Sequence, residues 1–480
     1  MESIWRKTTA LAPRPPLSGD LETEAVVIGG GLAGVLTAFF LQEKGIRTAI
    51  LEADRLGGGQ TGNTTAKITA QHGMIYEKLT RQLGADLAGQ YARANQRAVE
   101  TYRRLVGERD IDCQFRDCPA YLYSTSQADP LREEAHAARR LGLDAAFTTD
   151  TELPFPVKGA VRFGHQARFH PLQFLEHMAR DLTVYERTRA LSVEEDRVET
   201  DRGTVRAKYV VFATHFPFVN APGYYFMRMH QERSYVLSLS GAPKLKGVYL
   251  GVDPDGLSFR TAGDQLLLGG GNHRTGENSA GGKYKSLRVS AARLWPDARV
   301  TGEWSAQDCM PMDGVPYIGP FAPSRPNWYV ATGFGKWGMS SSMVAAQTIS
   351  AMIAGEAPED AEVFSPQRFH VSASAANLVE DGKQAVKGLG RRLLEEGRAA
   401  VKDLPPGHGG IVEVDGEKVG AYRDEDGEVY LVSPKCPHLG CQVEWNPDEK
   451  TWDCPCHGSR FDYKGNLMDD PAQRGLAEER

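Results

Sequence analysis

Two cysteine–histidine motifs near the C-terminal end constrain the fold of this chain more than any other feature. The chain reads C-P-H-L-G-C from Cys436 and, further on, C-P-C-H-G-S from Cys454. Each motif offers one thiolate and one imidazole, which come from Cys436 and His438 and from Cys454 and His457. A [2Fe–2S] cluster with cysteines on one iron and histidines on the other needs this ligand set. Zinc also binds such a set, but zinc fingers usually pair cysteine with cysteine and histidine with histidine.

Two further cysteines favour the iron–sulfur interpretation over a zinc site. Cys441 follows the first motif closely, and Cys456 lies inside the second. With these residues, about 405–475 of the chain resembles the Rieske proteins of cytochrome bc complexes. The resemblance implies that the four residues named above are the cluster ligands, and that Cys441 and Cys456 form a disulfide between the cluster loops. It also implies that the Ser459 hydroxyl donates a hydrogen bond to a cluster sulfide.

Length and charge indicate more than one globular domain and argue against some partners. At 480 residues the chain is long enough for two or three domains with their own cores. A net charge of −6 at pH 7 gives no electrostatic reason to expect binding to nucleic acid or to an anionic membrane. We expect no signal peptide, since residues 1–19 are polar and rich in proline, and no membrane span, since glycines interrupt the longest apolar run. We therefore expect a cytoplasmic protein.

A glycine motif near the N-terminal end predicts a dinucleotide-binding unit. An apolar run predicts a buried strand, and G-x-G-x-x-G follows it as Gly29, Gly31 and Gly34. An apolar helix and a second strand are predicted next, and the second strand ends at Glu52. In this arrangement the glycines let a pyrophosphate approach the backbone, and the acid accepts a hydrogen bond from a ribose hydroxyl. An acid at this position disfavours a 2′-phosphate, so NADP is not expected.

Two later segments favour FAD over NAD. Residues 57–73 form a glycine- and threonine-rich loop that can follow the diphosphate, and its candidate contacts are Thr61, Thr64 and Thr65. Residues 331–339 form a glycine-rich turn that opens an apolar helix. Such a turn offers backbone N–H groups and the positive end of a helix dipole to a ligand. The candidate cofactor-binding residues there are Gly333, Gly335, Gly338 and Met339.

In their order along the chain, these segments and residues 169–171, 210–214 and 304–319 resemble the D-amino-acid oxidase, glycine oxidase and sarcosine oxidase family of flavoproteins. The resemblance implies a Rossmann-like FAD-binding domain interleaved with a mixed-sheet substrate domain. With the all-β Rieske domain, the expected fold class is α/β and α+β. The expected boundaries are 1–21 for an N-terminal extension, 22–356 for the oxidoreductase, with its substrate domain at about 110–190 and 225–303, 357–403 for a helical linker, and 404–480 for the Rieske domain.

Three residues are candidates for the chemistry at the flavin. In relatives that oxidise amino acids, an arginine four residues after a tryptophan binds the substrate carboxylate, and Asp308 stands four residues after Trp304 here. An aspartate suits an amine or guanidinium instead, and a structural hydrogen bond is the alternative. Lys67 and His72 lie in the loop that the family places by the flavin, as a cation for the reduced ring and as a general base. Cys309 is either a covalent FAD tether or a buried cysteine.

These residues together predict a flavin-dependent dehydrogenase. A small-molecule substrate, an amine or an amino-acid-like compound, gives a hydride to FAD, and single electrons then leave through the [2Fe–2S] cluster. The acceptor is a one-electron partner, a ferredoxin-like protein or a quinone. Two alternatives stay open: a reductase that receives electrons through the cluster, and a non-catalytic redox sensor or electron-transfer adaptor.

Overall fold

The computed structural model describes residues 2–368 and 401–478. The predicted helical linker, 357–403, therefore lies mostly outside the described residues, apart from short 3₁₀ turns at Glu362–Phe364 and Val401–Asp403. The α-helices of the described residues are α1 (Ile4–Thr8), α2 (Leu32–Glu43), α3 (Tyr76–Leu83), α4 (Ala85–Glu108), α5 (Asp129–Arg140), α6 (Pro171–Met178), α7 (Lys283–Leu294) and α8 (Gly338–Ile353).

The strands of the described residues group into two large sheets and two small ones. In chain order they are β1 (Leu21–Ile28), β2 (Thr48–Leu51), β3 (Lys67–Ile68), β4 (Arg116–Ser124), β5 (Ala145–Thr148), β6 (Gly159–Arg168), β7 (Thr183–Tyr185), β8 (Ala190–Glu194), β9 (Arg197–Thr200), β10 (Thr204–Phe212), β11 (Met229–Ser240), β12 (Val248–Gly251), β13 (Ser258–Ala262), β14 (Gln265–Arg274), β15 (Arg299–Pro311), β16 (Tyr317–Ala322), β17 (Arg325–Thr332), β18 (Gly409–Val414), β19 (Glu417–Arg423), β20 (Val429–Val432), β21 (Glu444–Asn446), β22 (Thr451–Asp453), β23 (Arg460–Asp462) and β24 (Leu467–Asp469).

The first large sheet carries the dinucleotide motif. Its strands run in the order β16–β17–β10–β1–β2–β7, and β8 and β9 extend it from β10. The central neighbours β1, β2, β7, β10 and β17 pair in parallel. The last four residues of β1 are fully buried, and α2 is buried almost throughout and packs on α8. A parallel sheet covered by helices explains why β1 reads as a continuous apolar run, and the predicted Rossmann-like fold is confirmed.

The second large sheet is mixed. Its order is β15–β11–β14–β13–β12–β4–β6–β3, with β5 paired to β6. The β12–β4 pair is parallel, whereas the other pairs are antiparallel. Its strands come from 67–68, 116–168, 229–274 and 299–311, between segments that build the first sheet. The interleaved, mixed-sheet fold is therefore confirmed.

The C-terminal region is all-β, as predicted. It consists of the antiparallel sheets β18–β19–β20 and β21–β22–β23–β24. Trp445, Trp452 and Phe461 form the centre of its small core. The first cysteine–histidine motif lies between β20 and β21, and the second lies in the loop that joins β22 to β23. Short antiparallel strands thus hold both loops at one end of the domain.

The N-terminal extension supports the threonine-rich loop. Trp5 of α1 is buried, and its Nε1–H donates to the carbonyl oxygen of Thr64 at 2.6 Å. The guanidinium of Arg260 lies 4.9 Å from the centre of the Trp5 ring. Within 2–368 and 401–478, no helix combines the length and apolar character that a membrane crossing requires.

Candidate functional site

Close backbone contacts hold the first glycine motif. Gly29 has a φ of +112°, and a Cβ atom there would lie 2.3 Å from the carbonyl oxygen of Ala213. A Cβ at Gly34 would lie 1.9 Å from the carbonyl oxygen of Gly29, so α2 approaches β1 more closely than alanine allows. Gly31 precedes α2, and the first N–H of this helix donates to Thr61 Oγ1 at 3.0 Å. This end of α2 has the form that a pyrophosphate needs.

Replacing Gly34 by alanine is expected to destabilise the protein by about 1–3 kcal/mol, the usual cost of overpacking, and to lower its FAD content. The physical reason is the clash with the Gly29 carbonyl, which forces α2 away from β1. Thermal unfolding and the flavin-to-protein absorbance ratio are the measurements. Gly107→Ala is the control, because its Cβ would enter open space in the exposed part of α4. Equal behaviour of the two variants would contradict the prediction.

Glu52 ends β2, where the sequence predicts a ribose ligand. Its Oε2 accepts from the Gly30 N–H at 2.7 Å, and its Oε1 accepts from the Asp54 N–H at 2.8 Å. Burial raises the pKa of the Glu52 carboxyl, and these two hydrogen bonds oppose the rise. Each carboxylate oxygen has a further lone pair. Glu52 therefore still has acceptor capacity for a hydroxyl group.

The second glycine turn brings another helix N-terminus to the same place. Gly333 and Gly335 have φ values of +70° and +55°, in the left-handed region that favours glycine. Helix α8 begins at Gly338, and its next residue, Met339, is buried. The backbone of this turn can therefore offer N–H groups and the positive end of the α8 dipole to a ligand.

One cavity of about 390 Å³ joins the two glycine turns. Its size and mixed lining are typical of a cofactor pocket. Helix N-termini supply N–H groups for negative charge, and Glu52 supplies an acceptor for ribose, so the residues fit FAD. Gly34 and Gly333 are outside the lining that the described residues form, and they act in packing behind it. The predicted cofactor residues that line the cavity are Gly29, Gly31, Glu52, Thr61, Thr64, Thr65, Gly335, Gly338 and Met339.

Lys67 lines the cavity beside the second sheet. Its Nζ donates to the Tyr249 carbonyl oxygen at 3.3 Å and to the Ser258 hydroxyl. Burial lowers the pKa of Lys67 to about 7, and the positive charge of Arg260 adds to this effect. Lys67 is therefore held in one position, where burial disfavours its charged form. Its predicted direct role at the flavin stays a prediction.

His72 does not line the cavity that the described residues form, although its place in the loop suggested that it would. Its ring stacks on Trp337 with centroids 4.8 Å apart, and Trp337, not His72, belongs to the cavity wall formed by the described residues. Nε2 lies 2.8 Å from the Thr69 carbonyl oxygen and must donate to it, so Nδ1 accepts from the Tyr91 hydroxyl at 2.6 Å. Burial lowers the pKa of His72 to about 3. The geometry suits a role of His72 in positioning Trp337 better than a role as a general base. The general-base role of His72 stays a prediction.

Asp308 lines the cavity from β15. Burial raises its pKa to about 7; the positive charge of Lys336 opposes the rise and the negative charge of Glu232 adds to it. Lys336 Nζ already lies 3.0 Å from Glu232 Oε2. The Asp308 carboxylate therefore shares its cation with another acid, and a cationic ligand would stabilise it.

Cys309 faces away from the cavity. Successive side chains of a strand point to opposite faces, and the Cys309 thiol donates to the His215 carbonyl oxygen at 3.3 Å. It is fully buried and is absent from the cavity lining of the described residues. The interpretation as a buried cysteine is therefore favoured over a covalent FAD tether.

The Rieske region brings the predicted ligands together. Cys441 and Cys456 form the disulfide, which leaves Cys436 and Cys454 as the thiols of the two loops. These thiols contact each other, and the rings of His438 and His457 lie 4.9 Å apart. His438 Nδ1 is buried and, among the described residues, has no hydrogen-bond partner. Two adjacent thiols, two adjacent imidazoles and a buried nitrogen without a partner fit a [2Fe–2S] cluster.

The histidine edge of this cluster site rests on the flavin unit. His438 Nε2 lies 2.9 Å from Asn220 Oδ1 and donates to it. The Phe226 ring meets the edges of His438 and His457 at centroid distances of 6.1 and 5.6 Å. Asn220 and Phe226 belong to the segment between β10 and β11, and sequence reasoning missed both. No local pattern marks a residue whose partner lies more than two hundred positions away.

Two buried glutamines extend this contact toward the cavity. Gln231 Nε2 donates to the carbonyl oxygen of His457 at 2.7 Å, and Gln307 Nε2 donates to that of Gly458 at 2.8 Å. Gln307 Nε2 also donates to Gln231 Oε1 at 2.6 Å. Gln307 directly precedes Asp308, which lines the cavity. A short path of hydrogen bonds and one peptide unit thus links the cavity wall to the cluster loop.

Two family models match this chain. Residues 24–352 match the FAD dependent oxidoreductase family, and residues 398–478 match the Rieske [2Fe-2S] domain. A Bacillus subtilis (strain 168) protein named as a Rieske 2Fe-2S iron–sulfur protein, YhfW, is 36% identical over 496 residues, which cover 99% of this chain and 97% of that protein.

One further relative and one solved structure match part of this chain. Gamma-glutamylputrescine oxidoreductase of Escherichia coli (strain K12) is 26% identical over 219 residues, which cover 42% of this chain and 51% of that protein. The crystal structure of glycine oxidase from Geobacillus kaustophilus superposes with a TM-score of 0.62 at 21% identity, and covers 73% of this chain and 99% of that one. At this identity the structural likeness supports the fold alone.

Proposed function

We propose that this chain, which belongs to the FAD-dependent oxidoreductase family and carries a C-terminal Rieske domain, is a dehydrogenase for an amine or amino-acid-like substrate. The electrons leave through the Rieske domain, one at a time, to an external acceptor such as a ferredoxin-like protein or a quinone. When bound, a flavin supplies two-electron chemistry with a hydride, whereas a [2Fe–2S] cluster supplies one-electron transfer. The chain's residues bind these groups, hold them in fixed relation and select the substrate.

The observation that carries this proposal is the docking of the cluster loops on the flavin unit. Gln231 and Gln307 hold the loop around His457 against β11 and β15. The cavity wall and the cluster loop are therefore neighbours in one chain, without a second protein between them. A fixed contact of this kind supports electron exchange between the two cofactors.

The charges in the cavity favour a cationic substrate. Asp308 is an acid whose charged form is favoured most by Lys336, and this cation is already paired with Glu232. An amine bound near Asp308 forms the charge-assisted hydrogen bond that this carboxylate lacks. The Escherichia coli relative is named for gamma-glutamylputrescine, an amine, which agrees with this choice. Lys67, whose pKa burial lowers to about 7, faces the same cavity and can orient an acceptor group of the substrate.

The test is an anaerobic screen of primary amines, secondary amines, amino acids and hydroxy acids. We expect an amine to bleach the flavin absorbance and a Rieske EPR signal to grow afterwards, as electrons pass to the cluster. Addition of an external one-electron acceptor should then restore both oxidised spectra. If no substrate bleaches the flavin but a reduced ferredoxin does, electrons flow inward and the chain is a reductase. If neither reduces the flavin, the dehydrogenase proposal fails.

A further inference from the structure

We propose that residues 468–473 of the Rieske domain, here called the closing segment, form part of the FAD-binding site, so that bound FAD holds the Rieske domain in its docked position. This inference concerns loading of the cofactor and does not depend on the substrate or on the direction of electron flow.

The closing segment is part of the wall of the FAD cavity. The cavity that contains Gly31 and Glu52 is also lined by Met468, Asp469, Asp470 and Gln473. Met468 and Asp469 belong to β24 of the Rieske domain, Asp470 and Gln473 follow this strand, and all four lie more than four hundred positions from the glycine motif. The cavity therefore has one wall from each domain, and it is incomplete without the docked Rieske domain.

The segment is positioned at the end of the cavity near Glu52. Gln60 Nε2 donates to Asp469 Oδ1 at 3.2 Å, and Arg189 Nη1 lies 3.7 Å from Asp470 Oδ1. Gln60 and Arg189 both line the cavity. Asp470 is close enough to Glu52 for the two negative charges to interact. The closing segment thus faces the group that we assign to ribose.

The side chains of the segment suit the sugar and base of FAD. Carboxylates accept hydrogen bonds from hydroxyl and amino groups, and the amide of Gln473 both donates and accepts. Asp469 is held by Arg460, whose Nη1 donates to it at 2.9 Å, so its acceptor oxygens are oriented. The acids Glu52 and Asp470 together repel a phosphate on the ribose, and FAD has no phosphate there. The site therefore takes the adenosine part of an unphosphorylated dinucleotide.

The segment is tied directly to the cluster loop. The N–H of Ala472 donates to Ser459 Oγ at 3.0 Å. Gln231 Nε2 donates to the carbonyl oxygen of Asp470 at 3.0 Å as well as to that of His457. One buried amide thus bridges the FAD wall and the loop of a cluster ligand. Because coupling between two binding equilibria is reciprocal, docking strengthens FAD binding and FAD strengthens docking.

The first test measures FAD affinity in the full-length protein after the flavin is removed and the cluster retained. In the double variant Asp470→Ala and Gln473→Ala, we expect the Kd for FAD to rise about tenfold, as expected for the loss of one or two hydrogen bonds. Arg474→Ala is the matched control, because it is the exposed neighbour of Gln473 and is not part of the lining formed by the described residues. The cluster absorbance and EPR signal verify that each variant is folded.

The second test needs no variant. Hydrogen exchange of the full-length protein is followed with and without FAD, with the cluster present in both samples. We expect FAD to slow exchange in the closing segment and in the loop at 454–459, and to leave the sheet β18–β19–β20 unchanged. A Kd for FAD that is the same in the double variant and in Arg474→Ala would overturn the proposal. Exchange in the closing segment that FAD does not alter would overturn it equally.

Discussion

Replacing Asp308 by asparagine is expected to lower kcat/KM for a cationic amine substrate by about 10- to 150-fold. A hydrogen bond to a charged group contributes about 1.5–3 kcal/mol, and each 1.4 kcal/mol is about a factor of ten. Lys336, the cation that most favours the charged form of Asp308, is already paired with Glu232, so a cationic substrate can supply the charge partner that Asp308 lacks. The measurement is the rate of anaerobic flavin bleaching as a function of substrate concentration.

The same carboxyl gives the reaction a pH dependence. Burial raises the pKa of Asp308 to about 7, so the group is largely neutral below that pH and cannot hold a cation. The value of kcat/KM should therefore rise with pH through about 7 in the wild type, and this rise should be absent in Asp308→Asn. The native state keeps a proton that the unfolded chain releases above about pH 4. The contribution of Asp308 to the free energy of unfolding should thus fall as pH rises from about 4 to 7, and the difference in this free energy between wild type and Asp308→Asn should change over the same range.

A control on the same strand separates substrate binding from packing. Glu303 of β15 is paired with Arg288 and is not among the cavity-lining residues of the described chain. Glu303→Gln should leave both kcat/KM and its pH profile unchanged. If Asp308→Asn behaves like this control, the Asp308 carboxyl has only the structural role that the sequence left open.

The parts of the site that depend on short spacings could be predicted from the sequence. Gly29 and Gly34 stand where a Cβ atom would clash with the backbone. Because only glycine fits at both positions, the two glycines appear at a fixed spacing that can be recognised in the sequence. Likewise, a cluster ligated from two loops needs a cysteine and a histidine close together in each, as Cys436 and His438 are. The fold class followed from the same segments, since a β1–α2–β2 unit of this kind occurs in parallel sheets covered by helices.

The orientation of individual side chains was harder to predict from the sequence. His72 was predicted beside the flavin because it lies in the loop that the resembling family places there, but the Trp337 ring stacks on His72 and lines the cavity in its place. Cys309 follows Asp308, and the alternation of β15 places the two on opposite faces. That alternation was a usable signal, because a strand that presents Asp308 to the cavity turns Cys309 away from it.

The contact between the domains could not be predicted at all from the sequence. No sequence motif marks Gln231, Gln307 or the closing segment. A side-chain amide can bind a backbone carbonyl whatever residues stand beside it in the sequence. Their role depends on how two separately folded units meet. A local sequence pattern reflects the packing and hydrogen bonding of one helix, strand or loop. An interface instead depends on how well two surfaces fit that are distant in the sequence.

Removing the carboxylate of Glu449 is expected to cost about 3–5 kcal/mol of stability, because it leaves the buried guanidinium of Arg233 without its carboxylate partner. Glu449 of the Rieske domain is buried between Arg233 of the flavin unit and Arg460 of its own domain. It accepts from Arg233 Nε at 3.1 Å, from Arg460 Nη2 at 2.9 Å and from the Ser305 hydroxyl at 2.6 Å. In Glu449→Ala, Arg460 keeps its pairs with Asp453 and Asp469, whereas the buried Arg233 loses its carboxylate at the interface. The Rieske domain should therefore undock before the flavin unit unfolds.

Denaturant unfolding followed separately by flavin fluorescence and by cluster absorbance measures this effect. We expect coincident transitions in the wild type and two separate ones in Glu449→Ala, with the cluster lost first. Glu425→Ala is the control, since its pair with Lys450 is exposed and such pairs contribute at most about 1 kcal/mol.

The guanidinium groups of Arg233 and Arg460 hold the pKa of Glu449 at about 2, although burial opposes them. Its stabilising contribution is thus complete above about pH 5 and is lost as the pH falls toward 2, so acid should also undock the wild-type domains. Coincident transitions in Glu449→Ala would mean that the apolar and amide contacts suffice for docking without this ion-pair network.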